Sequence, residues 1–202
     1  PIVDGKRDSL WENTPALVVR YPVPSATSMD ATDAAWAMTR LLWDDANLYV
    51  WFDVRDMRVS TAHTESWQQD SVEVFLDENY ARTRDYESDV GKYRVTAVGN
   101  TSGEPDLADV TAAVSRHQQG YRVEIAIPFR AIEPTPGTTI GFEAQVNDDP
   151  GVGERRAVMK WSHPTLRSVH DTSVFGTIVL RQVASATGDD SVPSNLPSAD
   201  VE

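Results

Sequence analysis

The segment Ser71–Asp77, SVEVFLD, alternates strictly: Val72, Val74 and Leu76 fall on one face and Ser71, Glu73, Phe75 and Asp77 on the other. This is the period of a strand with one face on a core. The second face mixes a carboxylate with an aromatic, so it meets either water or a partner that wants both chemistries. Two longer stretches behave alike. NLYVWFDVRD sets Leu48, Val50, Phe52 and Val54 against Tyr49, Trp51 and Asp53, and GYRVEIAIPF sets Tyr121, Val123, Ile125 and Ile127 against Arg122, Glu124 and Ala126. AWAMTRLLW, KYRVTAVG, TIGFEAQVND, RAVMKWS and GTIVLRQV are further strand candidates, separated by turn-forming clusters such as EPTPGTT and NDDPGVGE. Helical periodicity is nearly absent. Many short alternating strands must bury one face of each sheet against another sheet, which predicts an all-β antiparallel sandwich.

A chain of 202 residues suffices for one domain with a sizeable core, and residues 1–183 are expected to form it. The stretch 184–202 is rich in Ser, Pro, Ala and Asp and poor in large apolar residues, so it reads as a linker or tail of a modular protein. The balance of 31 acidic and 18 basic residues, a net charge of −13, opposes phosphate backbones and anionic membrane surfaces. Nucleic acid and membrane are therefore not expected partners, and a monomer is expected. The absence of cysteine excludes a disulfide framework, a cysteine zinc site and a thiol nucleophile. The opening PIVDGK has neither the basic nor the apolar region of a signal peptide, so the sequence is expected to begin after one.

Three strands offer polar groups to what could be one sheet face: Glu73 in SVEVF, Arg94 in KYRVTAV, and Gln145 with Asn147 in FEAQVND. A carboxylate, a guanidinium and two carboxamides supply donors and acceptors in fixed directions, as neutral sugar hydroxyls require, and Trp67 could cover an apolar sugar face. The competing reading is an ordinary cross-strand ion pair between Glu73 and Arg94 on a solvated face. Trp67 sits in the polar loop TAHTESWQQD, whereas Trp11 and Trp43 are expected to anchor the core. Asp4 and Asp8 in VDGKRDS, with Asp44 and Asp45, could supply oxygen ligands to calcium or could simply be turn residues. His63, His117, His163 and His170 show no metal-ligand spacing.

The ordered blocks VDGKRDSLWENTP, LLWDDANLYVWFDVRD, SWQQDSVEVFLDEN, KYRVTAVGN, GYRVEIAIPFRAIEPTPGTTIGFEAQVNDD, KWSHPT and FGTIVL closely resemble family 9 carbohydrate-binding modules, the type appended to family 10 xylanases. The resemblance runs from about Ile2 to Leu180. It implies a jelly-roll-like β-sandwich, structural calcium and no catalysis. It further implies binding of small sugars or of the reducing ends of glucan and xylan chains, and a secreted module that holds an attached glycosidase on plant polysaccharide. By position, Trp67 matches one of the family's two tryptophans that sandwich the sugar, and Glu73, Arg94 and Gln145 match its hydrogen-bonding residues. This chain departs from the pattern at Val169, where the second tryptophan is expected, at Leu166, where an asparagine contacts sugar, and at Thr96, which replaces an asparagine.

Two other readings compete. A small glycoside hydrolase would pair Glu73 with Asp70, Asp77 or Glu124, two carboxyl groups about 5 to 10 Å apart across a cleft. A haem-binding sandwich would ligate iron through Met57 with His163 or His170.

Overall fold

The computed structural model describes residues 1–104, 107–182 and, as backbone, 199–201. The expected linker 184–202 thus lies outside the described residues except for its last strand. Thirteen strands are present among them: β1 Leu17–Val19, β2 Tyr21–Pro22, β3 Trp36–Trp43, β4 Asn47–Arg55, β5 Ser71–Asp77, β6 Val90–Thr96, β7 Thr101–Glu104, β8 Thr111–His117, β9 Gly120–Pro128, β10 Thr139–Asp148, β11 Ala157–Lys160, β12 Gly176–Leu180 and β13 Ala199–Val201. One sheet of five runs β1-β3-β4-β9-β8. The other runs β13-β12-β10-β5-β6-β7, with β11 pairing β10 and β2 pairing β11. Every ladder is antiparallel. The expected all-β sandwich is the fold.

The core follows from the alternation. Leu48, Val50, Phe52 and Val54 of β4 and Tyr121, Val123, Ile125 and Ile127 of β9 meet Val72, Val74 and Leu76 of β5 and Phe142, Ala144 and Val146 of β10 in one apolar cluster. Trp43 lies in that cluster, and Trp11 is buried on the outer face of the five-stranded sheet, stacked on Trp51 with ring centroids 6.3 Å apart. Glu124 fixes the N-terminal segment there, accepting from Trp11 Nε1 at 2.8 Å and from the amides of Asp4 and Gly5 at 3.0 and 2.8 Å.

The sequence pattern leaves the second face of β5 open, but all seven of its residues are buried. Phe75 is covered by Val90, Val174 and Phe175, with Tyr86 packed against them. The face is covered in the folded chain, and Glu73 is buried with it.

At the β8–β9 turn, Gly120 has φ +143°, and a Cβ there would run into the carbonyl oxygen of Val54 on the neighbouring strand. Gly120→Ala is therefore expected to lower the unfolding free energy by about 1–3 kcal/mol. Urea denaturation measures it, and an unchanged midpoint would contradict the close approach.

Candidate functional site

Antiparallel register places the polar residues. Glu73 of β5 stands opposite Arg94 of β6 and opposite Gln145 of β10, and Gln145 in turn stands opposite Lys160 of β11. Residues directly opposite share a face, so Lys160, Gln145, Glu73 and Arg94 form one transverse row. Ser102 of β7, opposite Arg94, extends it. The adjacent row on that face holds Asn147, Ser71 and Thr96.

Glu73 is 1% exposed, and its carboxylate organises the row. Its Oε1 accepts from Gln145 Nε2 at 2.9 Å and Asn147 Nδ2 at 2.7 Å, and lies 3.1 Å from Arg94 Nη2. The cross-strand ion pair expected as the plain alternative does form, but buried rather than solvated. Three atoms of this row find no partner within the protein: Glu73 Oε2, Gln145 Oε1 and Arg94 Nε. Two acceptors and one donor, buried and unpaired on adjacent strands, are costly unless something supplies the matching groups. A hydroxyl, donor and acceptor at once, is such a group.

Asn147 is spent on positioning. Its Nδ2 also donates to Ser71 Oγ at 3.0 Å, and its Oδ1 accepts from Gln145 at 2.7 Å and from Arg155 Nη1 at 2.9 Å. Thr96 is buried, its hydroxyl oxygen accepting the Asn100 amide at 3.1 Å in the turn that follows β6. Trp67 lies on the short 3₁₀ turn Ser66–Gln68 and is 41% exposed. The turn is held beside the row, since Arg94 Nη1 reaches Ser66 Oγ and Ser102 Oγ at 3.3 Å each.

Two cations join the site that pattern reasoning did not single out. Lys160 is fully buried, its Nζ donating to Ser168 Oγ and lying 4.2 Å from the Phe75 ring centroid. Burial pushes its pKa down to about 8, against the pull of Glu143 and Glu73. Arg155 lays its guanidinium over Trp67, 5.1 Å from the ring centroid, while its amide donates to Gln68 Oε1 at 3.1 Å. A lysine inside the otherwise apolar run AVMK was the available signal for the first. Arg155 follows the turn cluster PGVGE and gave none. Leu166 and Val169 lie on the 3₁₀ turn Leu166–Val169, where Val169 is 39% exposed. That turn borders the row through Ser168, whose hydroxyl accepts from Lys160 and whose carbonyl accepts from Tyr86.

The other carboxylates proposed as partners of Glu73 are engaged elsewhere. Asp77 accepts the amides of Ala81 and Arg82 at 3.3 and 3.0 Å, and Glu124 lies on the opposite sheet. Asp70 accepts the amides of Ser60 and Asp149. Met57 is 84% exposed, and His163 and His170 are exposed on the loop after β11, so neither pairing offers an enclosed haem site.

Asp70 also belongs to a second constellation. The carboxylates of Asp56, Asp70 and Asp148, all buried, bring oxygens within 4.8 Å of one another. Burial and the charge of Asp56 push the Asp70 pKa up to about 9, and burial pushes Asp148 up to about 6. Asp56 Oδ2 has no partner in the protein. Crowded, dehydrated like charges with an orphaned oxygen suit a hard cation with oxygen ligands. Asp4 and Asp8, the sequence candidates, lie outside this trio: Asp4 accepts from the Lys6 amide at 2.8 Å and Asp8 from the Ile2 amide at 3.0 Å.

Residues 3–183 match the family described as carbohydrate family 9 binding domain-like. The chain is 38% identical over 182 residues to endo-1,4-beta-xylanase A of Thermoanaerobacterium saccharolyticum, covering 89% of this chain and 15% of that protein. It is 38% identical over 197 residues to exoglucanase XynX of Acetivibrio thermocellus, covering 96% and 18%. The chain thus spans less than a fifth of either relative. Among solved structures, a carbohydrate binding module family 9 from Caldicellulosiruptor kristjanssonii in complex with cellotriose superposes with a TM-score of 0.84 at 33% identity, covering 96% of this chain and 95% of that one. The same organism's module in complex with glucose gives 0.83 at 33% identity over 94% and 95%.

Proposed function

The chain belongs to carbohydrate-binding family 9, and from that membership we propose that it binds glucose-type sugars and chain ends at the row Arg94, Glu73 and Gln145 beside Trp67. Carbohydrate binding is the property of the family. What supports this location is the set of three buried, unpartnered atoms, Glu73 Oε2, Gln145 Oε1 and Arg94 Nε, next to an exposed indole. Hydroxyls satisfy the polar atoms and the apolar ring face stacks on Trp67. We take the ligand to be a chain end rather than the middle of a polysaccharide, since both faces of β5 are covered and an extended chain could not lie along it.

On this reading the module holds rather than cuts, which is supported by family membership and by the engagement of Asp70, Asp77 and Glu124 away from Glu73. Fused to a glycosidase, it raises the effective concentration of the catalytic domain at its substrate, for which modest affinity is enough. The xylanase relatives support this reading and a secreted setting. On the same reading calcium sits between Asp56, Asp70 and Asp148, where it would offset the crowding of the three carboxyl groups and tie the ends of β4, β5 and β10 together.

Calorimetric titration with glucose and cellotriose should show binding that falls by at least about tenfold in Trp67→Ala, with the melting temperature nearly unchanged. Equal affinity in the variant would move the site elsewhere. Replacing cellotriose by its reduced alditol tests the chain-end reading, for which loss of binding is expected.

For the acidic trio, chelator is expected to lower the melting temperature and calcium to restore it. The metal-free protein should also respond to pH in a defined direction. Asp70 and Asp148 have folded pKa values raised to about 9 and about 6 from 3.8. Their contribution to stability is complete below the unfolded value and is lost as pH rises through the folded values. In chelator, stability should therefore fall between about pH 4 and pH 9, and Asp70→Asn should flatten the fall. The same slope with and without calcium would count against the assignment.

A further inference from the structure

We propose that the sugar site prefers a ligand carrying a carboxylate, with Arg155 as the group that reads it. The proposal rests on the sugar-binding reading of this face and adds the chemical class of the ligand.

The argument begins with charge. Arg94, Arg155 and Lys160 stand on or over the row, against Glu73 and Glu143. Glu73 is already claimed by Arg94 at 3.1 Å. Glu143 is used by the backbone, accepting the amides of Ala144, Trp161 and Ser162 at 2.9, 3.0 and 3.0 Å through Oε1 and that of His163 at 2.9 Å through Oε2. Among the described residues, no ion pair involves Arg155 or Lys160. Lys160 is sealed beneath Ser168, so it adds field without touching a ligand. Arg155 is half-buried and reachable. Arg155 feels the Glu73 carboxylate but makes no ion pair with it, and a partly dehydrated guanidinium so placed is answered poorly by a neutral hydroxyl and well by a carboxylate.

Geometry then favours recognition over simple solvation. Arg155 is held from both ends, by its amide on Gln68 and by Nη1 on Asn147 Oδ1 at 2.9 Å, and its guanidinium carbon lies 5.1 Å from the Trp67 ring centroid. One hydrogen bond to Asn147 uses one of the guanidinium's five donor hydrogens, which leaves others in a rigid fork suited to two carboxylate oxygens. The cation bridges the aromatic platform and the polar floor, the two surfaces a sugar would touch. In a chain with a net charge of −13, three cations against two carboxylates make this a locally positive region. A carboxylate could come from a hexuronic acid or from an aldonic acid at an oxidised chain end, and the two differ in whether the ring is closed.

Isothermal calorimetry with glucose, glucuronate and gluconate on the wild type, Arg155→Gln and Arg155→Lys tests the proposal. The wild type should bind at least one acid about tenfold more tightly than glucose. Tighter glucuronate assigns a uronic acid, and tighter gluconate an oxidised end. In Arg155→Gln the acid-to-glucose ratio should fall to near one, and Arg155→Lys, a point charge without the fork, should keep an intermediate ratio, which serves as the reading should the glutamine variant not fold. Glucose bound as tightly as both acids by the wild type, or a preference that survives in Arg155→Gln, would overturn the proposal. Binding of none of the three would overturn the sugar-binding reading itself.

Discussion

The site depends on a carboxylate that the fold has taken out of water. A charge as buried as that of Glu73 is tolerable only if donors surround it, because the hydration it loses must be replaced within the protein. Those donors come from separate strands, Arg94 on β6 and both Gln145 and Asn147 on β10, so the carboxylate is satisfied in one register only. A slip of one residue in β5 would bring Glu73 into the core and turn Val72 and Val74 toward the polar row. The apolar and polar faces of β5 therefore specify the same alignment independently. The second carboxylate oxygen of Glu73, Oε2, is left without a partner in the protein.

Much of this was legible where the information is local. Alternation located β3, β4, β5, β6, β9, β10, β11 and β12 and assigned the core faces of β4, β5 and β9, and Trp11 and Trp43 were readable as anchors, Trp43 at the end of an apolar strand and Trp11 from the area a tryptophan buries. The pattern failed at β7 and β8, TSGE and TAAVSRH, edge strands whose residues are mostly half-buried or exposed and so carry no two-sided contrast. It also left the outer face of β5 open, because its cover comes from Val90, Val174 and Phe175, which only the folded chain brings over Phe75.

The site divides in the same way. Glu73, Arg94 and Gln145 were visible because each is a polar residue standing in the middle of an alternating strand, and register joins them. Arg155 follows a loop whose path no local rule sets, and Asp56, Asp70 and Asp148 sit at the ends of different strands. Their proximity is a product of the sandwich and leaves no spacing in the chain to read. Asn147, by contrast, was read as a possible ligand contact, yet every polar atom of its side chain is occupied in holding its neighbours.

One edge of β10 is shared. Thr139–Phe142 pairs with β12, Gln145–Asp148 pairs with β11, and between them the Glu143 carboxylate gathers the amides of Trp161, Ser162 and His163. The loop 161–175, which carries Leu166, Ser168 and Val169, is thus a detour that leaves β10 and returns to it. Its two ends are clamped on a single rigid strand, and lengthening such a loop adds little closure entropy. The loop beside Lys160 can therefore change in length and composition while the strands beneath it keep their register.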